Sequence, residues 1–169
     1  MAPQQHHLNG ASMKGLYFEE FNVGDVFTTP SRTVTETDVV NFAGVSGDFN
    51  QIHMDHAFCK SETPFGRPLA HGLLVLSMAT GLLYRLGVFD GTAIAMLGLD
   101  EWRFLKPVFF GDTIHVRMTI LEKRQTSQPG RGVIKRKFEI VNDRSEIVQE
   151  GAITVMCKCR APVSATAAS

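Results

Sequence analysis

The sequence predicts an α+β domain in which an antiparallel β-sheet wraps a long central helix. From Gly72 to Leu86, the residues Leu73, Leu74, Leu76, Met78, Leu82, Leu83 and Leu86 occupy most of the helix circumference, with Ala79 and Gly81 as small faces. A helix that is apolar nearly all round belongs inside a protein, not on its surface. Ile114, Val116, Met118 and Ile120 alternate with Thr113, His115, Arg117 and Thr119, the period of a strand with one buried face. Two further strand-like runs, 133–141 and 147–159, flank the turn signal Asn142-Asp-Arg-Ser. A sheet curved around the helix satisfies both patterns at once.

Taken in order, residues 1–14 are polar and predict a disordered leader, and the small residues of 161–169 predict a frayed tail, leaving 15–160 as the folded domain. Residues 15–34 read as strand, with Asp25-Val-Phe-Thr-Thr between Gly24 and Pro30. Thr35-Glu-Thr-Asp38 supplies helix-start chemistry for a short helix over 39–45, ending at Gly47. The segment 48–67 reads as a loop holding one brief helix capped by Asp55. After the central helix and Gly87 the chain reads as strand, in a sheet of five or six strands interrupted by the loop Thr126-Ser-Gln-Pro-Gly-Arg-Gly132.

The chain has 169 residues, enough for a core without disulfides, and its 17 basic side chains balance 17 acidic ones. That balance argues against a nucleic-acid partner or a membrane surface. The longest apolar stretch is too short to span a bilayer. The leader lacks the apolar region of a signal peptide, so a reducing, cytoplasmic location is expected. Cys59, Cys157 and Cys159 have no metal-ligand spacing, and Cys157 and Cys159 read as small core side chains. No metal is expected.

The chemistry concentrates in Ser46-Gly-Asp-Phe-Asn-Gln-Ile-His53. On one helix Asp48 and His53 would point roughly 140° apart, but a loop containing Gly47 and Asn50 can turn both toward one point. An acid facing an imidazole is suited to activating water, one group taking a proton as the other gives one. A turn aspartate and a structural histidine would produce the same residues. A second feature, Pro68-Leu-Ala-His71-Gly72, leads directly into the central helix. The unpaired N–H groups of a helix start, approached closely at a glycine, suit a developing oxyanion; a plain helix-start glycine is the alternative.

Phe42-Ala-Gly-Val-Ser-Gly-Asp-Phe-Asn-Gln-Ile-His-Met-Asp, followed by Ala70-His-Gly-Leu-Leu and then Trp102-Arg-Phe-Leu-Lys-Pro-Val-Phe-Phe-Gly-Asp-Thr-Ile, resembles the MaoC-like (R)-specific enoyl-CoA hydratases over about residues 15–158. The resemblance implies a hotdog fold and reversible hydration of a trans-2-enoyl-CoA to an (R)-3-hydroxyacyl-CoA. It implies that Asp48 and His53 hold and activate water, that Asn50 orients their loop or hydrogen-bonds to the pair, and that the Gly72 amide binds the thioester carbonyl. Thr80 falls where some relatives place a serine near the site. From the residues themselves, Ser46 is a candidate substrate contact, Arg67 either contacts a ligand phosphate or pairs with a loop carboxylate, and His71 either supports the Gly72 turn or lines the substrate site. Coenzyme A would be part of the substrate, with no separate cofactor. A homodimer or higher homo-oligomer is expected, joined edge to edge through the sheet.

Gln51 departs from the family pattern, which usually has proline there, and implies a looser loop. That loop would also suit a dehydratase of a branched or dicarboxylic short acyl-CoA. A non-catalytic acyl-CoA-binding protein is the alternative of another class. Arg103, Lys106, Lys123, Arg124 and Arg131 are candidates for the coenzyme phosphates or, more plainly, solvated strand residues. His56 and His115 read as surface.

Overall fold

The computed structural model of the protein describes residues 5–6 and 15–160. Seven strands form one sheet: β1 (Gln5–His6), β2 (Val26–Thr28), β3 (Arg32–Thr33), β4 (Ala93–Phe104), β5 (Thr113–Gln125), β6 (Arg131–Asn142) and β7 (Ile147–Lys158). Their order is β1-β2-β5-β6-β7-β4, with β3 also on β5. Every pair is antiparallel except β1 with β2. The remainder of the expected leader and the whole tail lie outside the described residues.

The sheet curves around one helix, α4 (Gly72–Tyr84). Leu74, Val75, Leu76, Met78, Ala79, Leu82 and Leu83 of α4 are buried, as its apolar circumference predicts. They pack with Ile114, Val116, Met118 and Ile120 of β5 and Ile134, Phe138 and Ile140 of β6 in one core. This is the hotdog arrangement. Gln149 ties sheet to helix: its amide Nε2 donates to the Gly72 carbonyl at 3.0 Å while its Oε1 accepts from Trp102 Nε1 at 3.1 Å.

Several local expectations change. Residues 15–34 hold a 3₁₀ turn (Phe18–Glu20) and two short strands, not one long strand. The first helix, α1 (Glu36–Ser46), starts earlier than expected, because the Thr35 hydroxyl accepts from Asp38 N–H while Asp38 accepts from Thr35 N–H, a complete capping box. The segment after Asp48 is not mainly loop: α2 (Gln51–Met54) precedes α3 (His56–Glu62). Gln51 therefore does not loosen a loop; it is the first residue of α2, where a missing N–H is tolerated and proline and other residues interchange.

Cys157 is buried in the core, as expected, whereas Cys159 is half-buried against it. His56 is exposed, but His115 is half-buried. Lys123 is committed to structure, donating to the carbonyls of Phe18 and Phe21 at 2.9 and 2.6 Å. No helix among the described residues is long and apolar enough to cross a membrane, which says nothing of β-barrels.

Candidate active site

Three helix boundaries meet at the site. Helix α1 ends where Gly47 adopts φ 76°, ψ 5° and returns its N–H to the Ala43 carbonyl at 2.8 Å. Such a left-handed cap is easy for glycine and reverses the chain. Asp48 follows, and its Oδ1 accepts from Asn50 N–H at 3.3 Å. Asn50 then caps α2, its Oδ1 accepting from Ile52 N–H at 3.1 Å. Asn50 thereby caps the helix that carries His53. Ser46 stabilises the same turn, its hydroxyl donating to the Phe42 carbonyl and accepting from Asp48 N–H.

The turn brings Asp48 Oδ2 to 4.0 Å from His53 Nε2. Asp48 is about half exposed and His53 only 8% exposed. His53 Nδ1 lies 2.7 Å from the Leu69 carbonyl. A carbonyl only accepts, so Nδ1 carries the proton and Nε2 presents a lone pair toward Asp48. Burial lowers the His53 pKa below its ordinary value; the Leu69 carbonyl and Asp48 oppose this, and His71 adds to it. At neutral pH the neutral imidazole is thus the dominant form. Two acceptors then face each other across a gap too long for a direct hydrogen bond, a spacing that one water, donating to both, would fill.

His71 supports this geometry from below. It is 2% exposed, its ring centroid is 3.8 Å from that of His53 with a 31° tilt, and Phe42 packs on it at 5.1 Å. Its Nε2 lies 2.9 Å from the Asp48 backbone carbonyl, so Nε2 carries the proton and holds the Asp48 turn against the start of α4. Its Nδ1 is buried without a hydrogen-bond partner among the described residues.

Asp48, His53 and His71 each offer a ligand atom within 4.8 Å of the others. One nitrogen of each imidazole already faces a backbone carbonyl, His53 Nδ1 that of Leu69 and His71 Nε2 that of Asp48.

His53 opens on a cleft of about 550 Å³ lined also by Gly72, Leu69, Phe65, Phe104 and Lys106 among others. Gly72 is the first residue of α4, so its N–H has no intrahelical acceptor. No hydrogen bond among the described residues uses it. A Cβ at Gly72 would come within 2.6 Å of the Phe104 ring, so glycine keeps the wall of the cleft close to the backbone.

The structure therefore gathers Asp48, His53, Asn50, Ser46, His71 and Gly72 in one place, and leaves two expected residues elsewhere. Arg67 is exposed and stacks on Phe109, 4.0 Å from the ring centroid. Thr80 lies about 12 Å further along α4 by helical rise. It lines another cavity and donates to the Ser77 carbonyl at 2.7 Å. Sequence reasoning passed over the Leu69 carbonyl, Phe104 and Gln149. A backbone acceptor leaves no trace in residue identity, and Gln149 is one polar residue in a strand. Lys106, a candidate for the coenzyme phosphates or a solvated strand residue, lines the cleft and pairs with Glu146.

A family model described as the MaoC like domain matches residues 20–141. The chain is 46% identical over 107 residues to protein MaoC of Klebsiella aerogenes, a match covering 63% of this chain but only 31% of that longer protein. It is 35% identical over 95 residues to the (R)-specific enoyl-CoA hydratase of Aeromonas caviae, covering 56% of this chain and 68% of that one.

Among solved structures, a protein of Archaeoglobus described as a monoamine oxidase regulatory protein superposes with a TM-score of 0.82 at 35% identity, over 89% of this chain and 99% of that one. A Mycobacterium tuberculosis protein described as a double hotdog has a TM-score of 0.78 at 21% identity, over 92% of this chain and 48% of that one, and supports the fold alone. With the family model spanning residues 20–141, most of the folded region, the chain belongs to the MaoC-like domain family.

Proposed function

We propose that the protein is a hydro-lyase that reversibly hydrates a trans-2-enoyl-CoA to an (R)-3-hydroxyacyl-CoA. The observation that carries this reading is the opposed pair of acceptors, Asp48 Oδ2 and His53 Nε2, 4.0 Å apart with the His53 tautomer set by Leu69.

A water held between them has its oxygen free to attack Cβ of the enoyl group. As the C–O bond forms, His53 Nε2 takes one water proton and Asp48 retains a hydrogen bond to the other. The electron pair of the double bond moves through Cα onto the thioester oxygen, where the Gly72 N–H and the positive end of α4 stabilise it. His53 then returns its proton to Cα, on the face from which water was added. Dehydration is the same sequence reversed. The thioester supplies the activation, so the reaction calls for no metal or redox cofactor.

The protein would act as a homodimer. β4 is an edge strand whose Ile94, Met96, Leu97 and Leu99 are all exposed, an apolar row that a second copy would cover. Analytical ultracentrifugation of the full chain reads this directly: a dimer is expected, and a monomer at micromolar concentration overturns it.

The test of the activity is loss of enoyl absorbance across a series of trans-2-enoyl-CoA thioesters, with chiral analysis of the product and a parallel assay for free thiol. Asp48→Asn and His53→Ala are each expected to lower kcat by about 10²–10⁴-fold with the fold intact. Near wild-type turnover in either variant defeats the reading. Thiol release without hydration would instead indicate a thioesterase.

A further inference from the structure

Strand β4 carries a bulge beside the candidate site. Asp100 pairs with Ala152 of β7 and Arg103 with Glu150, so β4 holds one residue more than its partner between these pairs. Glu101, inside the bulge, has φ 50°, a conformation that is costly for a residue with a Cβ. The extra residue reverses the alternation of the strand. Asp100 and Arg103 line one outer groove, whereas Trp102 packs against the core and Phe104 lines the His53–Gly72 cleft. Bulges beside functional sites commonly re-aim a side chain in this way.

The re-aimed Trp102 meets Gln149. A Cβ at Gly151 would lie 2.5 Å from the indole, so glycine lets the ring rest against β7. Trp102 Nε1 donates to Gln149 Oε1 at 3.1 Å, and Gln149 Nε2 donates to the Gly72 carbonyl at 3.0 Å. An indole nitrogen only donates and a carbonyl only accepts, so the amide has a single orientation.

One of its hydrogens is left over. Gln149 is 2% exposed, yet it lines the cleft together with Gly72. Its second Nε2–H has no acceptor among the described residues, and an unpaired N–H buried this deeply is costly. The Gly72 carbonyl stands in the first turn of α4, where the N–H four residues on already supplies a donor. Satisfying that carbonyl therefore does not account for Gln149. The nitrogen and carbonyl oxygen of one residue lie about 3–4 Å apart, so Gln149 Nε2 and the free Gly72 N–H are neighbours on one wall.

We propose that Gln149 is a second oxyanion donor, its spare Nε2–H binding the same thioester oxygen as the Gly72 N–H, with Trp102 as the positioning residue that holds it there. This rests on the hydratase reading. As water adds at Cβ, the electron pair of the double bond passes through Cα onto that oxygen, where two N–H groups share the charge. When His53 returns its proton to Cα, the pair moves back and the carbonyl re-forms. No proton leaves Gln149, so the amide stabilises the enolate without protonating it.

Two measurements on the full chain test the assignment. With crotonyl-CoA, Gln149→Met is expected to lower kcat by about 10²-fold, the range for one oxyanion donor, with KM within threefold of wild type. The second is the infrared carbonyl band of bound butyryl-CoA, isotopically labelled at its thioester carbon, which reads hydrogen bonds to that oxygen without any reaction. The band is expected at lower frequency in wild type than in Gln149→Met, with Trp102→Phe between them.

A Gln149 that only braces the fold would lower stability and leave the band where it is. A kcat within threefold of wild type, or a band at the same position in wild type and Gln149→Met, overturns the proposal. If Gln149→Met does not fold, the two side-chain N–H resonances of wild-type Gln149 serve instead. Butyryl-CoA must move one more than the other and free coenzyme A must move neither; equal or absent shifts overturn the proposal. Absence of crotonyl-CoA hydration in wild type defeats the hydratase reading alone, and the butyryl-CoA band still decides whether Gln149 is a donor. Absence of butyryl-CoA binding overturns both.

Discussion

The two ends of α4 face cavities of similar size, built in opposite ways. At the Gly72 end the polar groups are oriented by one another, Asp48 by Asn50 and the His71 tether, His53 by Leu69, and the Gly72 carbonyl by Gln149, while the Gly72 N–H stays unpaired among the described residues. At the Thr80–Tyr84 end the walls are apolar and one charge, Arg136, is left with weak partners. Pre-oriented dipoles serve a reaction, because their alignment costs nothing at the moment of charge development. The Arg136 guanidinium instead rests between the Phe89 and Phe138 rings, whose faces attract a cation. One helix thus has a polar, pre-oriented end and an apolar one.

Four changes test how much the rigidity of the Gly72 end matters. The largest effect is expected from Gly72→Ala. The added Cβ displaces the Phe104 ring, whose side chain is exposed enough to swing, so the fold survives while the ring shifts within the cleft. The backbone N–H is kept, so the expected fall in kcat/KM, about 10²-fold with near wild-type circular dichroism, comes from the displaced ring misplacing the thioester carbonyl against that N–H. Unchanged kinetics would remove Gly72 from the site.

Next is His71→Phe, which keeps the stacking with His53 but frees the Asp48 carbonyl. Since His71 acts through Asp48, kcat is expected to fall about tenfold with KM little changed, and single-turnover kinetics separate the two.

The third is pH. His53 must be neutral to accept a proton, and its pKa is lowered below the ordinary value near 6.5. Hydration by the free enzyme should therefore rise through an apparent pKa below 6.5 and then level off. The same shift has a stability consequence. Between the lowered folded pKa and about 6.5 the unfolded chain binds the extra proton, so stability increases with pH across that window. His53→Gln should flatten this part of a denaturation-versus-pH profile, and an unchanged profile would locate the titration elsewhere.

The smallest effect is on stability, from Gln149→Leu. It strips a partner from Trp102 Nε1 and the Gly72 carbonyl, and is expected to cost about 1–3 kcal/mol in chemical denaturation while leaving Asp48 and His53 in place.

How much of this was legible beforehand follows from what each feature depends on. The core helix was readable because its apolar residues cover the circumference without reference to anything else. The β5 alternation was readable for a similar reason, since one face of a strand declares itself every second residue. Arg136 was not readable. It sits in Lys135-Arg-Lys137, which looks like a solvated charged run, and only the register of β6 turns it inward while Lys135 and Lys137 stay half-buried on the other face. β4 was hidden too: its pairing with β7 shifts register three times, and most of its residues are exposed, so no period of two survives. At the site, the approach of Asp48 to His53 was anticipated. The tautomer was not, because it depends on a backbone carbonyl far along the chain.

The same carbonyl has a practical consequence for redesign. Leu69 accepts from His53 and donates its own N–H to the Ile52 carbonyl at 3.1 Å, so the chain leaves and returns to the site through one clasp. The excursion between, α3 and the turn after it, is anchored on its inner side by Cys59, whose thiol meets the Gln51 and Ile52 carbonyls. The outer part, from Lys60 to Phe65, hangs from fixed feet and carries Phe65 into the cleft wall. Grafting that short stretch would reshape the cleft as an exchangeable module, leaving the two acceptors where they are.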